Sequence, residues 1–298
     1  MSELDPSFQP QQENLSPETK YLDIEVIDKE DLLAILERGQ VINVRPIEED
    51  FEVMPHKDEV YVGDMAKHKD VTLELELSLP GKGSLLVVYK PLSGENKGGQ
   101  VGKPIDLPGN SSLSCNKEVG NFLVDNALGW GLIVPTVIRE DLPEGKGSLR
   151  PFIHGQTLDL ASKEQKQSIY AGEQYQKLAV FDYLLTNIDG KPENVILSEK
   201  GKISAIDRSL TFFATGWART WHMKGARLKT GYDSTADPPK LKEKPLPKNI
   251  LSDVKKLHTH LIDEESELHR NLSTVLSKNE ITALSNRAKT MVEQKIFL

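Results

Sequence analysis

Hydrophobic and polar residues follow a strand-like pattern in the first third of the chain. Thr72–Leu77 alternates strictly, and Ser84–Lys90 is a largely apolar run, so both are predicted β-strands. Pro80–Gly83 lies between them and is rich in turn-forming residues. The pattern therefore predicts a β-hairpin whose second strand ends at Lys90. Tyr21–Ile27 also alternates and predicts a further strand.

Helical periodicity appears around these strands. Asp28 and Gly39 have the residue types of helix caps and enclose a stretch with apolar residues at helical spacing. Asn116–Leu128 has the same spacing, and Gly129 is predicted to end that helix. Shorter strand candidates are Val41–Val44, Val60–Val62, and the pair Val134–Ile138 and Ser148–Ile153.

The second half of the chain is predominantly helical. Lys163–Asn187 predicts one long helix, two short apolar strands lie between Asn194 and Asp207, and Ser277 with Glu280 forms a capping box for a last helix. Strands with one helix, followed mainly by helices, indicate an α+β protein of two lobes. We expect a disordered leader at 1–20, a strand-rich N-lobe at 21–153 and a helical C-lobe at 154–298.

Composition narrows the class of protein. The chain has 298 residues, 38% of them apolar and 28% charged, which is typical of a globular protein. No run approaches the ~20 apolar residues of a membrane span. The net charge of -8 argues against non-specific nucleic-acid binding, and a single cysteine excludes an internal disulfide. We therefore expect a cytoplasmic protein with no transmembrane segment and at most peripheral membrane contact.

Charge is nevertheless uneven along the chain. Between Trp217 and Ile250 eight Lys or Arg residues stand against three acids. This segment either attracts an anionic acceptor or is a solvated basic loop.

The chemistry lies in a loop that follows the predicted long helix. Asp189 is followed five residues later by Asn194, and Asp207 ends a short apolar strand. Kinases use such a trio: one Asp orients the acceptor hydroxyl, and an Asn with a second Asp holds Mg²⁺ on the nucleotide phosphates. Lys191 is placed to neutralise charge on the phosphoryl group during transfer. The alternatives are a plain turn at Asp189-Gly190 and a helix cap at Asp207.

A second pair of candidates lies upstream. Lys90, at the end of the predicted hairpin, can reach nucleotide phosphates, and Glu118 on the following helix can pair with it, as in protein kinases. The alternative is an ordinary strand-end lysine and a solvated glutamate.

These motifs resemble the phosphatidylinositol 3-/4-kinase superfamily. Phe181–Asp189 with Asn194, and Ala205-Ile206-Asp207, are similar to the catalytic and metal-binding loops of type II phosphatidylinositol 4-kinases and their bacterial relatives. Tyr89-Lys90-Pro91 is similar to the ATP-lysine strand. The resemblance covers about Ser84 to Phe212.

The resemblance implies a two-lobed, protein-kinase-like fold of the lipid-kinase type and assigns roles to residues. Lys90 would bind ATP phosphates with support from Glu118, and Phe152 and Ile153 would contact adenine through the backbone. Asp189 would be the catalytic-loop Asp, and Asn194 and Asp207 would hold the metal. Two positions depart from the family pattern: Gly190 stands where an Arg is usual, and Arg208-Ser209 stands where Asn-Gly, His-Gly or Phe-Gly is common.

The sequence therefore predicts a Mg·ATP-dependent kinase that transfers the γ-phosphate of ATP to a hydroxyl. The acceptor would be a phosphoinositide-like or other anionic alcohol, or a protein Ser or Thr. The two departures motivate an alternative, a nucleotide-binding pseudokinase without turnover. A further alternative is transfer of AMP by the same fold.

Overall fold

The computed structural model describes residues 21–24, 26–46, 72–94, 111–214, 241 and 243–297. Within them the protein is α+β, with two antiparallel sheets and seven α-helices. The chain divides into two compact units. The first combines the described residues of Met1–Lys103 with Pro135–Phe152, and the second combines those of Pro104–Val134 with those of Ile153–Leu298. The helix predicted at Asn116–Leu128 groups with the second unit, whereas the sequence pattern placed it in the strand-rich lobe.

The first unit is a five-stranded sheet covered by one helix. Its elements are α1 (Lys29–Arg38), β1 (Gln40–Pro46), β2 (Leu73–Leu79), β3 (Gly83–Pro91), β4 (Val137–Arg139) and β5 (Gly147–Pro151). The strand order is β1-β2-β3-β5-β4, and every neighbouring pair is antiparallel.

Local sequence signals determine most of this unit. The Asp28 side chain accepts from the Glu30 amide and caps α1, and Gly39 ends that helix, as predicted. The predicted hairpin is confirmed as β2 and β3. The core of the unit lies between the sheet and α1, and the helix contributes to it the buried side chains of Leu32, Ile35 and Leu36.

The strand predicted at Tyr21–Ile27 is wrong. Its described residues form turns in which the Asp23 carbonyl accepts from the amides of Val26 and Ile27. The Leu22 amide donates to the Ser84 carbonyl at 3.0 Å, which ties this segment to the start of β3. The strand predicted at Val60–Val62, the leader and most of the basic segment lie outside the described residues.

The second unit contains the remaining elements. They are α2 (Ser114–Leu128), β6 (Gln156–Thr157), α3 (Lys163–Ala171), α4 (Glu173–Leu185), β7 (Val195–Leu197), β8 (Ile203–Ala205), α5 (Lys248–Ile262), α6 (Glu267–Val275) and α7 (Lys278–Gln294). The three strands form a small sheet in the order β6-β7-β8. Helix α2 packs on α5 and α6, and α7 packs on α4 and α5.

The prediction of a single long helix at Lys163–Asn187 is wrong, because the helix is interrupted at Gly172. This residue has extended backbone angles (φ -84°, ψ 162°) and separates α3 from α4. Helix α4 then ends at Leu185, and Thr186 takes a left-handed conformation with φ 52°. The capping box of Ser277 and Glu280 is confirmed, with both of its hydrogen bonds present.

Candidate active site

The loop after α4 is shaped by the amide side chain of Asn187. Its Nδ2 donates to Asp182 Oδ1 at 3.1 Å, and its Oδ1 accepts from the Asp189 amide at 3.1 Å. The second contact is an Asx turn, in which an Asn side chain replaces a backbone turn acceptor. Asn187 is buried. The loop that carries Asp189 is therefore anchored to the last turns of α4.

Three of the predicted site residues come together at the Asp189 carboxylate. Asn194 Nδ2 lies 3.0 Å from Asp189 Oδ2 and 3.0 Å from the Asp189 carbonyl oxygen. Lys191 Nζ lies 3.2 Å from the same Oδ2. The side chains of Lys191 and Asp189 are 39% and 23% exposed. This carboxylate and ammonium are therefore both accessible from solvent.

Asn194 is also linked to the segment that carries Asp207. The carbonyl of Asn194 accepts from the Ile206 amide at 2.9 Å, beyond the end of the β7–β8 pairing. Asp207 is the next residue, half-buried and left-handed with φ 52°. Aspartate adopts this conformation more readily than most residues.

The side-chain oxygen atoms of Asn194 and Asp207 are of the kind that binds Mg²⁺. The Asn194 amide nitrogen faces Asp189, so its oxygen is the atom suited to a metal, and Asp207 supplies a carboxylate. Across the described part of the chain no group of three or more His, Cys, Asp or Glu residues is arranged to hold a metal ion. Two protein oxygen ligands are compatible with Mg²⁺, which is commonly bound by one or two carboxylates together with substrate phosphates and waters.

Arg208 follows Asp207 and is directed away from solvent. Its guanidinium pairs with Asp182, and the two side chains are only 5% and 14% exposed. The guanidinium carbon also lies 5.6 Å from the centre of the Phe181 ring. The Arg208 side chain is thus fixed on α4.

Helix α2 holds the backbone that follows Arg208. Asn121 Nδ2 lies 3.0 Å from the Arg208 carbonyl oxygen and 2.9 Å from Thr211 Oγ1. Lys117 donates from its ammonium to the Thr211 carbonyl, and its Nζ lies 4.4 Å from the centre of the Phe213 ring. These contacts connect α2 with the segment after the predicted metal loop.

Lys117 has a buried anionic partner on α7. Its Nζ lies 3.8 Å from Glu280 Oε1, and both side chains are almost fully buried. Burial lowers the pKa of Lys117 to about 8, although the Glu280 charge acts to raise it. Burial would raise the pKa of Glu280, but hydrogen bonds from Ser112 and Ser277 and the Lys117 charge hold it below its ordinary value. A charged pair is thus maintained inside the second unit.

The other predicted residues are placed within their own units. Lys90 is half-buried near the end of β3, opposite Ser148 on β5. Glu118 is buried on α2, one residue after Lys117. The predicted pairing of Lys90 with Glu118 stays a prediction, as do their roles in binding ATP.

Phe152 and Ile153 follow β5. The Phe152 amide donates to the Leu86 carbonyl at 2.9 Å, so it is already used in extending the sheet. A backbone contact with adenine at this place would use the Phe152 carbonyl or the backbone of Ile153. The adenine role of these residues stays a prediction.

Sequence reasoning missed Asp182 and Asn187, the two residues that anchor the Asp189 loop. Asn187 had a legible signal, because an Asn two residues before another polar loop residue is typical of an Asx turn. Asp182 had none, since its main partner Arg208 is 26 residues away.

A groove of about 500 Å³ lies elsewhere in the second unit, between α3 and the β7–β8 turn. Gln156, Gln165 and Glu199 line it, and none of the predicted site residues does.

No helix among the described residues is long and apolar enough to cross a membrane.

Comparison with known proteins finds a distant relative. No family model matches the chain. The chain is 25% identical over 271 residues to Protein Rv2133c of Mycobacterium tuberculosis, an alignment that covers 79% of this chain and 86% of that protein. The relative's name states no activity. Function therefore has to be argued from the residues of the site.

Proposed function

We propose that the chain is a Mg·ATP-dependent phosphotransferase with a two-lobed, lipid-kinase-like fold. The observation that carries this proposal is the arrangement around one carboxylate. Asp189 is contacted by Asn194 and Lys191, and the Asn194 backbone bonds to the residue before Asp207. A carboxylate for the acceptor, a cation beside it and two oxygen ligands for a metal are the parts that phosphoryl transfer requires.

In this proposal each residue has one task. Asp189 orients the acceptor hydroxyl and accepts its proton, and Lys191 neutralises charge on the transferred phosphoryl group. The Asn194 amide oxygen and the Asp207 carboxylate hold Mg²⁺, which supplies charge neutralisation at the nucleotide phosphates when it is bound. Lys90 binds the phosphates with support from Glu118, as the resemblance implies.

The acceptor class is inferred from the resemblance and from the basic segment between Trp217 and Ile250. Type II lipid-kinase-like motifs favour a phosphoinositide-like or other anionic alcohol, and a protein Ser or Thr is the second acceptor class. The partial exposure of Asp189 and Lys191 supports an acceptor that approaches from solvent. Contact with a membrane would then be peripheral.

The test is transfer from ATP labelled at the γ- or α-phosphate, in Mg²⁺, to vesicles containing phosphatidylinositol or to a Ser/Thr-rich protein. We expect γ-label transfer that is lost in Asp207→Asn, because asparagine tolerates the left-handed backbone but removes the charge. Asp253→Asn is the matched control, since an asparagine oxygen can still accept from Trp130 Nε1.

Other outcomes identify the alternatives. Transfer of α-label would indicate AMP transfer. Stabilisation by Mg·ATP in a thermal shift without transfer to any acceptor would indicate a pseudokinase. If saturating Mg·ATP causes no thermal shift and no transfer, the proposed function is wrong.

A further inference from the structure

Asp182 is a junction between the two segments that carry the reactive carboxylates. Its Oδ1 accepts from Asn187 Nδ2 at 3.1 Å and pairs with the Arg208 guanidinium. Asn187 in turn accepts from the Asp189 amide, and Arg208 directly follows Asp207. One chain of polar contacts therefore runs from beside Asp207, through Asp182, to the backbone of Asp189.

Gly190 is packed against the same carboxylate. A Cβ atom added at Gly190 would lie 2.8 Å from Asp182 Oδ2 and 3.2 Å from Asn187 Nδ2, closer than such contacts normally allow. Gly190 does not have a positive φ. The constraint at Gly190 is thus one of space and not of backbone conformation. A side chain at this position would therefore require the Asp182 carboxylate to shift.

We propose that Arg208 is a positioning residue that fixes Asp207 relative to Asp189 through Asp182, and that Gly190 is a necessary part of this arrangement. The assignment rests on the proposed function for the roles of Asp189 and Asp207. The two departures from the family pattern, at 190 and 208, are then coupled, because both meet at one carboxylate. The residues at positions 190 and 208 would then depend on each other, and neither departure by itself would mean loss of function.

Arginine suits this role better than lysine. Its planar guanidinium can bond to a carboxylate while lying over an aromatic ring, and the Phe181 ring is 5.6 Å away. Lysine offers a single charged point on a flexible stem, so it would keep the charge but not the orientation of the loop. Small errors of position between reacting groups have large effects on rate.

The first experiment compares Arg208→Lys with Arg139→Lys. Arg139 is a buried arginine of the first unit that pairs with the exposed Asp141 and donates to the Gly39 carbonyl, and it is the control for loss of a buried guanidinium elsewhere in the chain. We expect Arg208→Lys to lower kcat roughly 10- to 100-fold and to raise the Mg²⁺ concentration for half-maximal rate, with KM for ATP little changed. Arg139→Lys should lower only stability. If Arg208→Lys lowers the Tm but leaves kcat and the Mg²⁺ dependence as in the wild type, the positioning role is wrong.

The second experiment measures coupling between positions 182 and 190. Gly190→Ala should increase the exchange rate of the Asp189 amide hydrogen roughly tenfold, because the displaced Asp182 no longer holds Asn187. In an Asp182→Ala background the added methyl has space, so the same substitution should have little further effect. Additive effects in the two backgrounds would contradict the coupling.

Amide exchange also separates this inference from the proposed function. A wild-type chain that neither binds Mg·ATP nor transfers phosphate overturns the function. In that case faster Asp189 exchange in Arg208→Lys than in Arg139→Lys still supports the coupling between the two segments. Equal exchange in these two variants overturns it, whatever the result with ATP.

Discussion

Asp189 and Asp207 lie in segments that the second unit holds by different means. The Asp189 loop is held by Asn187 and Asn194, through side-chain contacts that span two to five positions in sequence. The segment after Asp207 is held by contacts that span 26 to 94 positions, from Asp182, Asn121 and Lys117. The first segment is held mainly by contacts local in sequence, with one distant backbone bond from the Ile188 amide to the Leu210 carbonyl. The second requires the whole unit to be folded, so distant substitutions should disturb the Asp207 side before the Asp189 side.

The largest expected effect comes from Asp182→Ala, which removes the residue shared by both segments. It leaves the buried Arg208 guanidinium without its carboxylate, and breaking a buried pair in this way costs about 3–5 kcal/mol of unfolding free energy. Urea unfolding measures the loss. The control is Asp31→Ala, which breaks the exposed pair with Lys82 and should cost less than about 1 kcal/mol. Equal losses in the two variants would show that the Asp182 pair is as well solvated as a surface pair.

The next effect is on the stability of the segment after Asp207, which distant contacts hold, and it depends on pH. The pKa of Lys117 is lowered by burial from 10.5 to about 8, so between these values the unfolded chain binds a proton that the folded chain does not. Unfolding free energy should therefore rise with pH across this window, by roughly 3 kcal/mol relative to a Lys117→Met variant. Paired urea titrations from about pH 7.5 to about pH 10.5 measure this difference. Parallel curves for the two proteins would contradict the assigned pKa.

A smaller loss of stability is expected from Asn187→Ala, which acts on the Asp189 loop. The substitution removes the Asx turn and one hydrogen bond to Asp182, which should cost about 1–2 kcal/mol. Under the proposed function it should also lower kcat, because Asp189 loses the contact that fixes its backbone. Asn279→Ala, at an exposed position of α7, is the control and should be nearly neutral. Loss of stability without any change in kcat would separate the Asx turn from the proposed chemistry.

The smallest effect on stability is expected from Lys191→Met. Its pair with Asp189 is partly exposed, and such pairs contribute about 0–1 kcal/mol. Under the proposed function kcat should nevertheless fall by roughly 10-fold or more, since a charge beside the transferred group is lost. Thermal melts and γ-label transfer on the same samples make the comparison. A large loss of stability with normal kcat would reverse the assignment and make Lys191 structural.

The same division between local and distant contacts explains what the sequence predicted. The caps of α1, the β2–β3 hairpin and the strands around Asp207 were predicted correctly, because each depends on residues close in sequence. The contacts of Asn194 and Lys191 with Asp189 are also local, within five positions in sequence. The break at Gly172 was missed because the apolar spacing continues across it, and one glycine does not reveal whether it interrupts a helix.

The distant contacts of the site could not be predicted. Asp182 lies on a helix whose sequence gives no sign of Arg208, and no nearby residue in the sequence indicates that Lys117 is buried. A buried lysine depends on Glu280 and Phe213, which lie far along the chain. Periodicity reports which face of a helix is buried but does not identify the polar groups that accompany it.

The contribution of α7 to this site has a consequence for synthesis of the protein on the ribosome. Glu280 is the counter-ion of Lys117, and Arg287 donates to the carbonyls of Leu184 and Phe213. Helix α2 emerges more than one hundred residues before these partners do. Until α7 has been synthesised, the Glu280 carboxylate is not available to pair with Lys117 in the core. The second unit therefore remains incompletely folded. A chain stalled on the ribosome before α7 would therefore lack the contacts that Glu280 and Arg287 make with the rest of the second unit.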